Sequence, residues 1–427
     1  MAWTAPRSPG LHASRGARYL PSPTMVTLPD VKAALGRIRD RIYLSPCARS
    51  ETLSRLSGAD AFLKLENLQM TGAYKERGAL NKLLLLSPEE RARGLIAASA
   101  GNHAQAVAYH GGRLGVATTI VMPETTPIMK VANTRAHGAR VVLHGANYDE
   151  AYGEARRLER AEGLTFVHPF DDPQVIAGQG TIGLELLEQV PDLDAVVVPV
   201  GGGGLISGVA VALKAQRPAL RVIGVEAELI PCMKASIEAG QLVTLEPSST
   251  LADGIAVKRP GELTFEHVQR YVDDIVTVSE EEIASAILYL LEKEKAVAEG
   301  AGAVSVAALM NHRVAGLGGQ RVAAIISGGN IDVNLIARII ERGLVKDGRL
   351  VRISVNLLDK PGQLAVVSTI IAGRRANVIE VHHTRAFASR FGGTTLQLTL
   401  ETRGTEHVEE ILAALRAEGY TVERLGL

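Results

Sequence analysis

Ala195-Val196-Val197-Val198-Pro199-Val200-Gly201-Gly202-Gly203-Gly204-Leu205 joins an uninterrupted apolar run to four consecutive glycines. A run with no polar alternation reads as a strand covered on both faces, the kind found inside parallel sheets. A helix is expected to begin near Leu205, so the glycines form a strand-to-helix turn. Successive N–H groups in such a turn make an anion nest at the positive end of a helix, and glycine lets a phosphate approach the backbone.

The same rhythm extends in both directions. Leu95 to Ala98, Thr118 to Met122, Arg140 to Leu143, Val222 to Val225 and Val322 to Ile326 read as further strands. Helical stretches such as Asn102 to His110 and Asp149 to Ala161 lie between them, which describes an open α/β architecture from about Gly94 onward. After Arg342 the pattern changes. Val351, Ile353, Val355 and Leu357 alternate with Arg352, Ser354 and Asn356, as in a half-buried strand. Pro361 is expected to start a helix running to about Arg374, followed by strands Asn377 to Arg385 and Thr394 to Glu401. A helix with Val408, Ile411, Leu412 and Leu415 on one face and a strand Tyr420 to Leu425 complete a β-α-β-β-α-β unit, the ferredoxin-like α+β pattern. The expected division is a disordered tail over 1–24, a catalytic domain over 25–345 and a separate domain over 349–427. Because Met25 precedes the first helical pattern, it is an alternative start.

The 427 residues are enough for two or three folding units. Lys plus Arg and Asp plus Glu each total 46, so no net field favours nucleic acid or acidic lipid. Small metabolites are the expected partners. Only two cysteines occur, Cys47 and Cys232, without metal-type spacing, which points to a reducing cytoplasm and away from a disulfide framework. No apolar run reaches membrane-spanning length.

Three further stretches carry chemistry. Glu66 to Asn81 contains Thr71-Gly72-Ala73-Tyr74-Lys75-Glu76-Arg77-Gly78. Alone, Lys75 reads as a solvated helix residue, and its chemical reading is an amine that forms a Schiff base with a cofactor aldehyde. Ser99-Ala100-Gly101-Asn102-His103 follows a strand and opens a helix, which suits either an ordinary N-cap or a carboxylate site. Ser327-Gly328-Gly329-Asn330 follows Val322 to Ile326, placing a hydroxyl where ligands of open α/β sheets bind.

Together these segments resemble the fold-type II pyridoxal-phosphate enzymes, and most closely the threonine ammonia-lyase (threonine dehydratase) branch that also includes serine racemase. The likeness spans roughly 25 to 345 and includes Leu251 to Lys258 and Glu299-Gly300-Ala301-Gly302. It implies a tryptophan-synthase-β-like fold with open sheets in two subdomains, and pyridoxal 5'-phosphate as cofactor. By the same likeness Lys75 holds the aldehyde, Gly201, Gly202, Gly203 and Gly204 bind the phosphate, Asn102 meets the 3-hydroxyl and Ser327 faces the pyridine nitrogen. Ser99, Gly101, Asn102 and His103 form the loop that grips the substrate carboxylate. The implied reaction is β-elimination and deamination of threonine, or serine, to 2-oxobutanoate, or pyruvate, and ammonia. Its place is isoleucine biosynthesis or threonine catabolism.

Ala73-Tyr74 replaces the Ser-Phe of many relatives, a change of packing more than of chemistry. Ala100 stands where racemases of the family carry a second hydroxyl, which favours the lyase. Competing readings are a serine or 3-hydroxyaspartate dehydratase, a racemase, and an inactive amino-acid sensor. Residues 349–427 resemble the ACT domain. That likeness implies a branched-chain amino-acid effector, isoleucine first and valine as antagonist, at a site including Asp359, Gly362, Leu364 and Asn377; a plain dimerisation module is the alternative. A homodimer or homotetramer is expected. Metal dependence is open, Glu226 being one acidic candidate for holding a cation.

Overall fold

The computed structural model describes residues 25–384 and 393–425, so the expected tail over 1–24 and the end of the Asn377 to Arg385 strand lie outside the described residues. Ala195–Pro199 is a fully buried strand, and the helix after it is Gly204–Gln216. That strand sits in a six-stranded sheet ordered Cys47–Arg49, Asp60–Leu65, Arg321–Ile326, Ala195–Pro199, Arg221–Ala227 and Asp274–Val278. Every pairing in it is parallel except that of Cys47–Arg49.

A second, all-parallel sheet of four strands is ordered Arg140–Leu143, Thr118–Met122, Leu95–Ala98 and Thr165–Phe166. Its chain is inserted between Asp60–Leu65 and Ala195–Pro199 of the larger sheet. Two subdomains with separate cores result. Val197, Ile223, Ala324 and Val304 meet in one, while Ala97, Ile120, Val107 and Leu83 meet in the other.

The expected strands are all present, within a residue or two at their ends. The parallel sheet does not begin at Gly94, however, because Asp60–Leu65 already pairs in parallel with Arg321–Ile326. Its pattern is obscured by Lys64, a fully buried lysine whose ammonium bonds Glu185 at 2.6 Å. Thr165–Phe166 is too short for any periodicity to register.

The third sheet is antiparallel, ordered Asn377–Thr384, Gly393–Glu401, Leu350–Leu358 and Thr421–Leu425, with helices Gln363–Gly373 and Thr405–Ala417. Ile353, Val355, Leu398, Ile371 and Leu415 form its own core. This is the ferredoxin-like unit. Pro361 does not start its first helix, which begins at Gln363. Gly362 precedes it at φ 91°, a left-handed conformation outside any helix interior. Among the described residues no helix is long and apolar enough to cross a membrane.

Candidate active site

Open parallel sheets bind ligands beyond the carboxyl ends of their strands. Four such ends carry the sequence motifs. Asp60–Leu65 leads to Lys75, Leu95–Ala98 to Ser99, Ala195–Pro199 to the tetraglycine and Arg321–Ile326 to Ser327. Lys75 is the first residue of helix Lys75–Leu84. The loop before it is tied to the Ser327 turn: Tyr74 N–H donates to Ser327 O at 3.0 Å, and Ala73 bridges Gly328.

Lys75 Nζ donates to the Pro169 carbonyl at 2.8 Å, 5.2 Å from the Tyr74 ring centre. Among the described residues it has no ion-pair partner. Burial lowers its pKa from 10.5 to about 8, with Glu299 offsetting part of the shift. Two residues along the same helix, Arg77 is fully buried and saturated, bonding Glu66 at 2.8 Å and Glu185 at 2.6 Å. That network fixes the helix from behind and leaves the Lys75 amine as the cation without a carboxylate.

Helix Asn102–Arg113 starts at Gly101, where an added Cβ would meet nothing within 4 Å. The substrate loop expected from the sequence therefore borders open space. Gly101 N–H donates to Ser99 Oγ at 3.2 Å. Asn102 Nδ2 donates to Glu299 Oε1 at 2.6 Å, and its Oδ1 accepts from Asn330 Nδ2 at 2.8 Å. His103 points back to the small subdomain, Nε2 bonding Val167 O at 2.9 Å; burial, then the Lys75 charge, lower its pKa to about 3. His103 is consequently a neutral ring near neutral pH.

The tetraglycine is crowded. A Cβ at Gly202 would lie 2.4 Å from the Phe170 ring, one at Gly201 2.9 Å from Ile255 Cα, and one at Gly203 2.6 Å from Met233 Cε. Gly203, at φ 94°, is the N-cap of helix Gly204–Gln216. Packing and backbone conformation thus demand glycine here in addition to any anion. Ser327 is buried, its hydroxyl 3.3 Å from Ala301 O.

The match with the pyridoxal-phosphate dependent enzyme family model runs over residues 38–328. An L-threonine ammonia-lyase of Thermotoga maritima is 53% identical over 94% of this chain and 100% of its own length. The chain belongs to the threonine ammonia-lyase family of pyridoxal-phosphate dependent enzymes. A processed threonine deaminase isoform 2 from Solanum lycopersicum superposes with TM-score 0.70 at 40% identity, covering 74% of this chain and 86% of that one. Maize serine racemase gives TM-score 0.71 at 33% identity, over 75% and 98%.

The residues present fit the cofactor of that family. A partly buried amine of lowered pKa stands without an ion partner among the described residues, a glycine turn with no space for side chains caps a 13-residue helix, and a neutral hydroxyl occupies a third strand end. Glu299 was not singled out from the sequence as a site residue, although its segment carried the family likeness. It is buried, and burial with repulsion from Asp253 raises its pKa to about 7. Only the fold reveals it, since 197 positions separate it from Asn102.

Glu226 has both carboxylate oxygens occupied, accepting from Met233 N–H at 2.9 Å and Lys234 N–H at 2.8 Å. No group of three or more His, Cys, Asp or Glu among the described residues could hold a metal ion. In the C-terminal unit a cavity of about 300 Å³ is lined by Asp359, Gly362, Leu364, His383 and Thr394. Asn377 is not brought to it. It pairs with Glu401, at the opposite end of the sheet from the Leu358–Gly393 pair.

Proposed function

We propose that this chain removes the β-hydroxyl and the amino group of L-threonine, giving 2-oxobutanoate and ammonia, and converts L-serine to pyruvate by the same route. The observation that carries the reading is the Lys75 amine, partly buried, without an ion-pair partner among the described residues and shifted to about 8 where three strand-end motifs meet. Pyridoxal phosphate, when bound, supplies an aldehyde for an amine and a conjugated ring that takes up the electron pair of the broken α-C–H bond.

Lys75 anchors that group and, once released by the substrate amine, accepts the α-proton at Nζ. Lowering its pKa from 10.5 to about 8 raises the ratio of neutral to protonated amine at a given pH by roughly 300-fold. Backbone N–H groups of the Ser99 to His103 loop, at the start of helix Asn102–Arg113, orient the substrate carboxylate. The tetraglycine and its helix hold the phosphate, and Asn102 meets the 3-hydroxyl. Ser327, a neutral group, faces the pyridine nitrogen. The β-C–O bond breaks as its oxygen takes up a proton, balancing the one lost from the α-carbon, and leaves as water. The resulting enamine tautomerises to an imine, whose C=N bond water hydrolyses to the keto acid and ammonia.

Ala100 offers no proton to the opposite face of the α-carbon, which favours elimination over racemisation. Residues 349–427 act as a regulatory unit binding a branched-chain amino acid, with isoleucine inhibiting. The cavity at Asp359 to Leu364 supports this, its size being at the lower end for small-molecule sites. The working form is a homodimer or homotetramer. Keto-acid release from threonine, serine and 3-hydroxyaspartate, with and without isoleucine, tests these assignments together. Fastest release from threonine, slowed by isoleucine, is expected; a colourless protein releasing no keto acid would overturn the lyase.

A further inference from the structure

We infer that Glu299 is a positioning residue, whose carboxylate fixes the Asn102 amide in one orientation before the cofactor arrives. The inference rests on the reading that Asn102 meets the cofactor. Glu299 occupies the N-cap of helix Gly300–Met310 yet makes no side-chain cap there. Its Oε1 instead accepts from Asn102 Nδ2 at 2.6 Å, a charge-assisted bond when the carboxylate is ionised.

The other end of the Asn102 amide is fixed as firmly. Asn330 Nδ2 donates to Asn102 Oδ1 at 2.8 Å and to Thr71 O at 2.7 Å. Turning the Asn102 amide over would set oxygen against the Glu299 carboxylate and NH₂ against the Asn330 NH₂. Turning Asn330 as well would lose the bond to Thr71, whose carbonyl cannot donate. The chain Thr71, Asn330, Asn102, Glu299 therefore has one hydrogen-bonding sense, set by an acceptor at each end. Two glycines make room for it: a Cβ at Gly328 would lie 2.4 Å from Glu299 Oε1, and one at Gly72 2.5 Å from Asn330 Oδ1.

Burying a carboxylate with no ion-pair partner among the described residues is costly for a purely structural role, where an amide or apolar side chain would serve. The test uses the full chain stripped of cofactor, with pyridoxal 5'-phosphate affinity read by equilibrium dialysis and the bound state by visible absorption. Glu299→Ala weakens binding on the order of 10-fold or more, as expected for loss of a hydrogen bond to a charged group. Glu299→Gln, whose amide oxygen can still accept, restores affinity to within about 3-fold. Asn330→Asp, which turns a donor toward two acceptors into a third acceptor, repeats the loss and decides the matter if Glu299→Ala does not fold.

Unchanged affinity and spectrum in Glu299→Ala or Asn330→Asp overturn the inference. Equal losses in Glu299→Ala and Glu299→Gln assign the effect to charge and overturn it too. Asn102→Ala separates the two layers. If it binds cofactor as the parent does, the Asn102 reading falls; if it weakens binding while Glu299→Ala does not, only the positioning role falls.

Discussion

Helix Lys75–Leu84 carries two cations of opposite fate, Arg77 fully buried and Lys75 partly buried at its first turn. Around Arg77, burial opposes ionisation, yet its bonds and the charges of Glu66 and Glu185 hold the guanidinium above its usual range. Glu66, equally buried, is held below the usual carboxylate range by Arg77 first and Lys64 second. Around Lys75 desolvation is offset only in part, by Glu299, and the amine falls to about 8; burial and the Asp253 charge raise Glu299 to about 7. The difference separates charge used to fix a helix from charge left free to titrate, as the proposed proton-accepting role of Lys75 requires. A saturated cluster resists titration; an unsaturated one sits near neutral pH.

The strongest break in that comparison is Lys75→Ala. Loss of the amine proposed to anchor the cofactor and accept the proton should lower keto-acid release by at least ~10³-fold, while the melting temperature stays within a few degrees of the parent. Retained turnover would mean that another group carries the proton. Arg77→Met should do the reverse, acting on stability first. It leaves Glu66 and Glu185 buried with Lys64 as the remaining cation, a loss of about 3–5 kcal/mol, read as a lowered urea or thermal midpoint. A midpoint unchanged from the parent would show the cluster to be dispensable.

The two clusters also differ in how legible they were. Asn102, the tetraglycine and Ser327 lie within a few residues of a strand end, and Lys75 opens the helix after Asp60–Leu65, each within a short motif that the sequence displays. Strand Asp60–Leu65 escaped because Lys64, buried through its bond to Glu185, breaks the apolar run that identifies a central strand. Glu299 escaped for another reason: its partner is 197 residues away, and only the meeting of two subdomains makes it a neighbour of Asn102. Asn377 shows the converse, a residue grouped with Asp359 by motif that sheet register sends to the far end. Local periodicity records which face is buried, and says little about which distant ends converge.

A smaller effect sharpens the comparison through pH. In the cofactor-free protein Glu299 has a raised pKa, about 7 against 4.5 when unfolded. Between these values the folded state binds more protons, so this group's contribution to stability falls as pH rises through that window. Glu299→Gln removes that dependence. The stability difference between variant and parent should grow in favour of the variant by up to about 3 kcal/mol from pH 4.5 to 7. His103 works the other way, since its folded pKa of about 3 makes stability rise with pH up to its unfolded value of 6.5. Because both proteins share that histidine, the difference isolates Glu299; a difference independent of pH would refute the assignment.

The smallest effect comes from the rim of the site. Asp253 pairs with Lys130 at 2.9 Å, linking helix Ile128–Ala136 of the small subdomain to the Asp253–Ile255 turn. Both side chains are substantially exposed, so the pair itself contributes roughly 0–1 kcal/mol. Its influence inward is more telling, because Asp253 repels the Glu299 carboxylate and Lys130 attracts it. Asp253→Asn removes the repulsion and keeps the attraction, so the midpoint of the Glu299-dependent stability change should move to lower pH by less than about one unit. Asp149→Asn, which breaks another exposed pair between the subdomains, Lys258–Asp149, supplies the control and should leave that midpoint in place. Equal shifts in both variants would trace the effect to loosened subdomains. A shift in Asp253→Asn alone would place the unsaturated cluster under the field of its own entrance, a coupling for which the saturated cluster around Arg77 has no exposed charged partner among the described residues.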